Sequence, residues 1–98
     1  MDFEWDESKR LSNIAKHGID FEDAMYIWDG SVIEKPDARD YGGERRFNTF
    51  GELDGRLLAV AHTWRGAVCR IISARKANDR EQRAYHAALS SVAPEPDD

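Results

Sequence analysis

The stretch Arg45-Arg-Phe-Asn-Thr-Phe-Gly-Glu-Leu-Asp54-Gly55-Arg56-Leu-Leu-Ala-Val-Ala-His-Thr-Trp64 decides the fold. The residues on either side of Asp54-Gly55 follow a periodicity of two, which is typical of strands. Asp-Gly is also the strongest short hairpin signal, because a type I′ turn needs positive φ at both central positions. The stretch therefore predicts strands from Arg45 to Leu53 and from Arg56 to Trp64, in a register that pairs Phe47 with His62.

A third strand is predicted directly after this hairpin. Arg65-Gly66 predicts a second tight turn into a strand from Ala67 to Arg75, and this register places Cys69 opposite His62. Arg46 and Arg70 then share one side of the sheet, while His62 and Ser73 share the other. A one-residue bulge would exchange these faces for every residue that follows it.

Helix signals come before the predicted sheet. Phe3 to Trp5 is predicted to be a short strand. Asp6 and Asp20 are predicted N-caps, because a short acidic side chain accepts hydrogen bonds from the free N–H groups of a first helical turn. Gly18 is predicted to end the first helix and Asp29-Gly30 the second.

The remaining segments complete an α+β fold. Residues 31–35 predict an edge strand, and residues 37–43 predict a polar loop. Asn78 and Glu81 form the pattern of a capping box that opens a last helix. The predicted order is a short N-terminal strand, two helices, a three- to four-stranded antiparallel sheet and a C-terminal helix packed at the end of the sheet.

The composition is that of one small globular domain. The 98 residues are 41% hydrophobic, which is enough for one core, and we expect a single domain at residues 1–90 with a flexible acidic tail at residues 91–98. Cys69 is the one cysteine, so no intrachain disulfide forms, and it is predicted to be buried. The chain shows neither a secretion signal nor an apolar run of about 20 residues, so we expect a cytoplasmic protein.

Basic residues concentrate in one part of this acidic chain. The formal net charge is −5, yet Arg65 to Arg83 contains six Lys/Arg against two acids, a local excess of four. Exposed charges are screened beyond about 8 Å at physiological salt, so a local basic surface attracts phosphate despite the negative total. The basic segment is compatible with an anionic ligand such as RNA, although the acidity of the whole chain weakens that interpretation without excluding it.

The residue types favour chemistry by side chains alone. There is no zinc-spaced His/Cys cluster, HExxH motif, phosphate loop or nucleophile elbow, so we expect no metal and no cofactor. Metal-free RNA cleavage needs a base for the 2′-OH, cations for the charge on phosphorus and an acid for the 5′-oxygen. Arg46, Arg70 and Arg75 suit the cationic role, since guanidinium groups bind phosphate bidentately. His62 is a candidate for proton transfer.

A further set of residues is predicted to bind RNA. Arg80 and Arg83 would hold the phosphates next to the scissile one. Three members of the set, Lys9, His17 and Tyr85, are also candidates for proton transfer. The full set is Lys9, His17, Lys76, Arg80, Arg83 and Tyr85.

Each of these residues also has a purely structural explanation. The arginines can pair with Glu44, Asp79 and Glu81, and His62 can be a hydrogen-bonded core residue. The polar residues of the first helix can form a solvated face or a C-cap. Tyr85 lies on an apolar stripe and can be a core aromatic residue whose hydroxyl reaches the edge.

Residues across positions 3 to 85 resemble the BrnT family of type II toxin–antitoxin modules. The most specific are Lys16-His17-Gly18-Ile19 with the upstream Lys9 and Asn13, together with Arg70-Ile-Ile-Ser-Ala-Arg75. The others are Phe3-Glu-Trp-Asp6, Phe21, Ala24, Gly43-Glu44, Arg46, Gly51, Lys76-Ala77, Glu81 and Tyr85.

The resemblance implies a RelE-like toxin that cleaves RNA without a metal and inhibits translation. It also implies a BrnA-like antitoxin with a ribbon-helix-helix part, which holds the toxin inactive and through which the complex binds operator DNA. A catalytically inactive protein that acts with the antitoxin as operon corepressor is the main alternative. A general RNA-binding domain is a further alternative, although the scattered tryptophans form no recognisable stacking platform.

Overall fold

The computed structural model describes residues 1–91, which form one mixed sheet flanked by helices. The five-stranded sheet has the order β1-β5-β4-β3-β2; β1 runs parallel to β5 and all other neighbours are antiparallel. The predicted α+β class is confirmed, and the sheet gains a strand because β1 pairs with β5. The elements are β1 (Asp2–Trp5), α1 (Glu7–His17), α2 (Phe21–Ala24), a 3₁₀ helix (Met25–Asp29), β2 (Ile33–Tyr41), β3 (Glu44–Leu53), β4 (Arg56–Arg65), β5 (Val68–Lys76) and α3 (Asp79–Ser90).

The β3–β4 hairpin has the predicted register. Asp54 and Gly55 adopt φ angles of 51° and 79°, and Leu53 pairs with Arg56. Phe47 lies opposite His62, as predicted. The two-residue turn therefore sets the face of every side chain in this hairpin.

The second hairpin turns one residue later than predicted. Arg65 pairs with Val68, so the loop residues are Gly66 and Ala67. Gly66 has a φ of 61°, and glycine adopts this angle without the steric cost that Arg65 would meet at the first central position of the turn. The predicted pairing of His62 with Cys69 is consequently wrong, since His62 lies opposite Ile71.

A bulge in β5 changes which side chains share its faces. His62 pairs with Ile71 but Ala61 pairs with Ser73, which leaves Ile72 as an extra residue on β5. The predicted face of Ser73 is therefore wrong. The same shift places Arg75, which pairs with Ala59, on the side that carries Arg70.

The helix caps agree with the prediction, although the second helix is shorter. Asp6 accepts a hydrogen bond from Ser8 N at 2.8 Å, and Gly18 ends α1 with a φ of 71°. Asp20 accepts one from Glu22 N at 2.9 Å. The helix predicted to reach Asp29 changes to a 3₁₀ helix after Ala24.

Strand β2 is longer than predicted. It continues through Pro36 to Tyr41, so only Gly42 and Gly43 remain of the predicted loop at residues 37–43. Proline is tolerated there because β2 is an edge strand of the sheet. The pairing with β3 is irregular between Asp37 and Tyr41.

The two faces of the sheet have different environments. We define the inner face as the side that carries Val60, His62 and Ile71, and the outer face as the side that carries Arg46 and Arg70. The inner face packs against α2 and the 3₁₀ helix around the main core. The buried members of this core are Ile19, Phe21, Ala24, Ile27, Leu58, Val60, Cys69, Ile71 and Ala74.

Helices α1 and α3 lie at the margins of the sheet. Beyond the end of β1, Asn13 of α1 donates to Ala74 O at 2.8 Å and accepts from Ala74 N at 3.1 Å, so it hydrogen-bonds the edge of β5 where no strand does. Helix α3 covers one end of the outer face, where Tyr85 packs with Leu57 and Ala77. Its predicted capping box between Asn78 and Glu81 is confirmed.

Cys69 is buried, as predicted, and burial raises the pKa of its thiol to about 12. Within residues 1–91, no helix combines the length and the apolar character needed to cross a membrane. Most of the predicted tail lies outside the described residues.

Candidate functional site

The outer face carries a row of polar side chains across four strands. Arg46 of β3 pairs with Thr63 of β4, which pairs with Arg70 of β5, which pairs with Glu4 of β1. With one strand between them, the backbones of Arg46 and Arg70 are about 10 Å apart. Side chains as long as arginine can converge on one anion over that distance.

Two further rows of paired outer-face residues lie between this first row and α3. Asn48, Ala61 and Ser73 form the second row, and Phe50, Ala59 and Arg75 form the third. All three arginines predicted to bind phosphate therefore share the outer face, Arg75 because of the bulge.

Arg46 and Arg70 each have one carboxylate partner. Arg46 Nε donates to Glu44 at 2.9 Å, and Arg70 Nη1 donates to Glu4 at 2.7 Å. The guanidinium carbon of Arg46 also lies 4.1 Å from the ring centroid of Tyr41. Both arginine side chains are 28% exposed, so they are held in place but remain reachable.

Arg75 is held much more completely. Its Nη1 and Nη2 donate to the two oxygens of Glu81 at 2.7 and 2.8 Å. Glu81 also accepts from Asn78 N at 2.9 Å within the capping box. The hydrogen bonds from Arg75 are the main cause of the lowered pKa of Glu81. Arg75 thus ties β5 to the first turn of α3.

The hydrogen bonds leave different donors available on these arginines. Within residues 1–91, both Nη atoms of Arg46, and the Nε and Nη2 atoms of Arg70, have no hydrogen-bond partner. Arg75 has both Nη atoms engaged. Arg46 and Arg70 each use one N–H on a carboxylate and can bind an anion with the others, whereas Arg75 already uses three of its five N–H groups on Glu81 and Lys76 O. The expected pairing with Glu44 and Glu81 is confirmed; among the described residues Asp79 pairs with none of the three arginines.

His62 lies on the inner face, apart from the arginines. It is fully buried among Trp28, Phe47 and Trp64, with ring centroids 5.2 to 5.9 Å away. Its Nε2 lies 2.6 Å from Thr49 Oγ1, while no partner for Nδ1 exists among the described residues.

Burial explains the protonation state of His62. Desolvation lowers its pKa to about 4, and the Glu34 carboxylate, 3.9 Å away, opposes this shift only in part. His62 is therefore neutral at physiological pH, which agrees with the core-residue explanation. The sheet separates it from the outer face.

Lys9 and His17 lie beside the outer face. Together with Ser12, Asn13 and Lys16 of α1 they line a groove whose other wall is Ile72 and Ser73 of β5. Arg46 is the main cause of the lowered pKa of Glu44, and the charges of Arg65 and Lys9 add to it. The charge of Lys9 therefore reaches the carboxylate that holds Arg46.

The other predicted RNA ligands are dispersed. Arg80 lies at the outer face near Lys35, but Arg83 points to another side of α3, beside Asp79 and His86. Lys76 pairs with Leu58, an inner-face residue. Tyr85 is buried and its hydroxyl donates to Ser31 O at 2.7 Å, which agrees with the core-aromatic explanation; burial raises its pKa.

Three residues of the outer face were not predicted as site residues: Glu4, Tyr41 and Asn48. Glu4 reaches Arg70 only because β1 pairs with β5, a contact between residues far apart in sequence. Tyr41 falls in the segment predicted to be a loop. Asn48 was on the predicted face of Arg46, so strand parity alone could have identified it.

A comparison with family models identifies the family of this chain. The model described as the ribonuclease toxin BrnT of type II toxin–antitoxin systems matches residues 5–81. The chain belongs to the BrnT family. Members of this family are ribonuclease toxins of type II toxin–antitoxin systems, so an antitoxin is their partner. No curated protein matches the chain.

The matched span covers most of the outer face. It includes Arg46, Arg70 and Arg75 with the carboxylates of Glu44 and Glu81. Within residues 1–91, no group of three or more His, Cys, Asp or Glu side chains is placed to bind a metal ion. The outer face of this BrnT protein thus carries three arginines within the matched span.

Proposed function

We propose that this protein is an endoribonuclease toxin that cleaves RNA without a metal ion, inhibits translation in the cytoplasm and is held inactive by a BrnA-like ribbon-helix-helix antitoxin. One observation carries the proposal. Arg46 and Arg70 lie in one row of the outer face, a single strand apart, and each keeps guanidinium donors free. Two such cations match the oxygens of one phosphodiester.

The proposed chemistry is transition-state stabilisation by these two arginines. Attack of the 2′-oxygen on phosphorus concentrates negative charge on the non-bridging oxygens, and fixed cations lower the energy of that state. Glu44 and Glu4 hold the arginines before RNA arrives, which limits the reorganisation needed on binding. We assign proton transfer to Lys9 and His17 beside the outer face, because His62 is fully buried on the other face.

The direct test is cleavage of RNA by the purified protein in excess EDTA. The unmodified protein should produce fragments, and Arg70→Ala should reduce the rate by about 100-fold or more. Arg56→Ala is the control, because Arg56 is an exposed arginine next to the Asp54-Gly55 turn. Intact RNA at high concentrations of folded protein would contradict the proposal.

A second function is supported by the pairing of the same arginines. Each of Arg46, Arg70 and Arg75 already contacts a carboxylate, and the chain is acidic. An inactive copy that acts with the antitoxin as operon corepressor would show these features. Induced expression would then leave growth unchanged, while the protein would still bind the antitoxin and enhance its binding to operator DNA in a gel-shift assay.

A further inference from the structure

A separate groove lies on the outer face between α3 and the edge of the sheet. It has a volume of about 160 Å³. The groove is bounded by β2 and β3 on one side and by α3 on the other. Its apolar walls are Ile33, Phe50, Ala84, Tyr85 and Ala88.

The polar groups in the groove are already bonded within the protein. The Tyr85 hydroxyl donates to Ser31 O. Both Glu81 oxygens accept from Arg75, and one also accepts from Asn78 N. Apart from Lys35 and Arg80 at the mouth, the polar side chains of the lining are therefore engaged within the protein, and an apolar side chain suits the walls better than the polar edge of a nucleobase.

The mouth of the groove is positively charged. Lys35 and Arg80 line it, and within residues 1–91 neither has an ion-pair partner. Glu81, the acid in the lining, is engaged by Arg75. The surface is therefore complementary to an acidic segment that carries an apolar residue.

We propose that this groove docks an acidic segment of the antitoxin, whose apolar side chain inserts between Phe50 and α3. The inference rests on the proposed toxin function and specifies its regulation. Phe50 lies in the same row of the outer face as Arg75, two rows from Arg46 and Arg70. A segment anchored here and continuing across the sheet places acidic residues over the free donors of Arg46 and Arg70, which excludes RNA.

The test compares two glutamates introduced on α3. Ala84→Glu places a charge in the groove, whereas Ala87→Glu makes the same change at an exposed position that does not line it. Titration calorimetry with the purified antitoxin from the same module should show that Ala84→Glu weakens binding by about 30-fold or more, as expected for disruption of an interface centre. Ala87→Glu should bind with unchanged affinity.

Ala88→Glu serves as a second groove variant, with thermal melting as the check on folding. It should weaken binding as Ala84→Glu does. Unchanged affinity in both folded groove variants would overturn the groove assignment and leave the toxin function intact. Loss of RNA cleavage with unchanged antitoxin affinity would overturn it in favour of a nucleobase subsite. An antitoxin that does not bind the unmodified protein would instead overturn the proposed partnership itself, and the groove with it.

Discussion

The two faces of the central hairpin hold polar residues in opposite states. On the inner face His62 is buried among aromatic rings and neutral, with Thr49 as its one hydrogen-bond partner within residues 1–91. On the outer face Arg46 is charged, partly exposed and held by a single hydrogen bond to Glu44. His62 pairs with Phe47, the residue next to Arg46. A shift of one residue along a strand thus separates a buried, neutral core residue from a partly exposed, charged one.

The largest expected effect is the loss of RNA cleavage when a single outer-face arginine is removed. Arg46→Ala should reduce RNA cleavage by about 100- to 1,000-fold, equivalent to about 3 to 4 kcal/mol, because a fixed cation at the phosphate is lost. Arg45→Ala is the matched control, since Arg45 is adjacent on β3 but belongs to the opposite face. Single-turnover cleavage assays measure both. Equal losses in the two variants would remove the distinction between the faces.

Truncation of His62 on the inner face should lower the stability of the protein and leave its cleavage activity unchanged. His62→Ala leaves a cavity among Trp28, Phe47 and Trp64 and removes the partner of Thr49. We expect a loss of about 3 kcal/mol in the free energy of unfolding, as for other large core truncations. Urea denaturation gives this value, and cleavage per folded molecule should be unchanged. A stable but inactive His62→Ala protein would show that His62 takes part in the chemistry.

The low pKa of His62 makes the free energy of unfolding depend on pH, which gives a further test of its buried position. The folded protein holds this histidine with a pKa of about 4, whereas the unfolded chain has about 6.5. Protonation therefore favours the unfolded state, so the stabilisation is complete above the unfolded pKa and is lost as the pH falls toward the folded one.

Between about pH 7 and about pH 5 this linkage should lower the free energy of unfolding by about 2 kcal/mol. His62→Gln is the control, because its amide can still bond Thr49 but does not titrate in this range. Urea denaturation at several pH values should give a shallower slope for the variant. Parallel slopes would mean that other groups cause the acid sensitivity.

Much of the fold was predictable because its signals are local. Asp6, Asp20 and the Asn78–Glu81 pair cap their helices as the sequence predicts, and Asp54-Gly55 sets the central register. The shift of the second turn to Gly66 has a local cause, the positive φ of that glycine, whereas two other differences depend on contacts between distant segments. The pairing of β1 with β5 and the extension of β2 through Pro36 both depend on neighbouring strands.

The candidate site was predictable in part for the same reason. Strand parity placed Arg46 and Arg70 on one face, but the bulge at Ile72 that brings Arg75 to that face has no clear sequence signal. The charge pattern likewise did not distinguish Arg80 from Arg83, which point to different sides of α3. His62 was a candidate because histidine titrates near neutral pH, a property that its burial removes.

A smaller effect should separate Arg75 from the other outer-face arginines. Its bonds to Glu81 join β5 to α3, so Arg75→Ala should lower the free energy of unfolding by about 1 kcal/mol, as expected for a partly exposed bidentate pair. Cleavage per folded molecule should fall much less than in Arg46→Ala. Denaturation and cleavage assays on the same samples test both points. An Arg75→Ala protein that is stable but as inactive as Arg46→Ala would assign Arg75 to phosphate binding.

The smallest effect concerns the carboxylate that holds Arg70. Glu4→Gln removes a negative charge next to the proposed phosphate site and releases Arg70 Nη1. Affinity for RNA should rise by about 2- to 5-fold, less than 1 kcal/mol, because a single charge at a partly exposed position is well screened.

Fluorescence anisotropy with a 2′-deoxy oligonucleotide, which lacks the attacking hydroxyl, measures binding without cleavage. Glu22→Gln is the matched control, since it removes the same charge from an exposed position of α2. The gain from Glu4→Gln should shrink as salt is added, while Glu22→Gln should bind nearly as the unmodified protein does. If both variants gained equally, the total charge of the chain would govern RNA affinity, and the negative charge of Glu4 beside Arg70 would have no local effect on RNA binding.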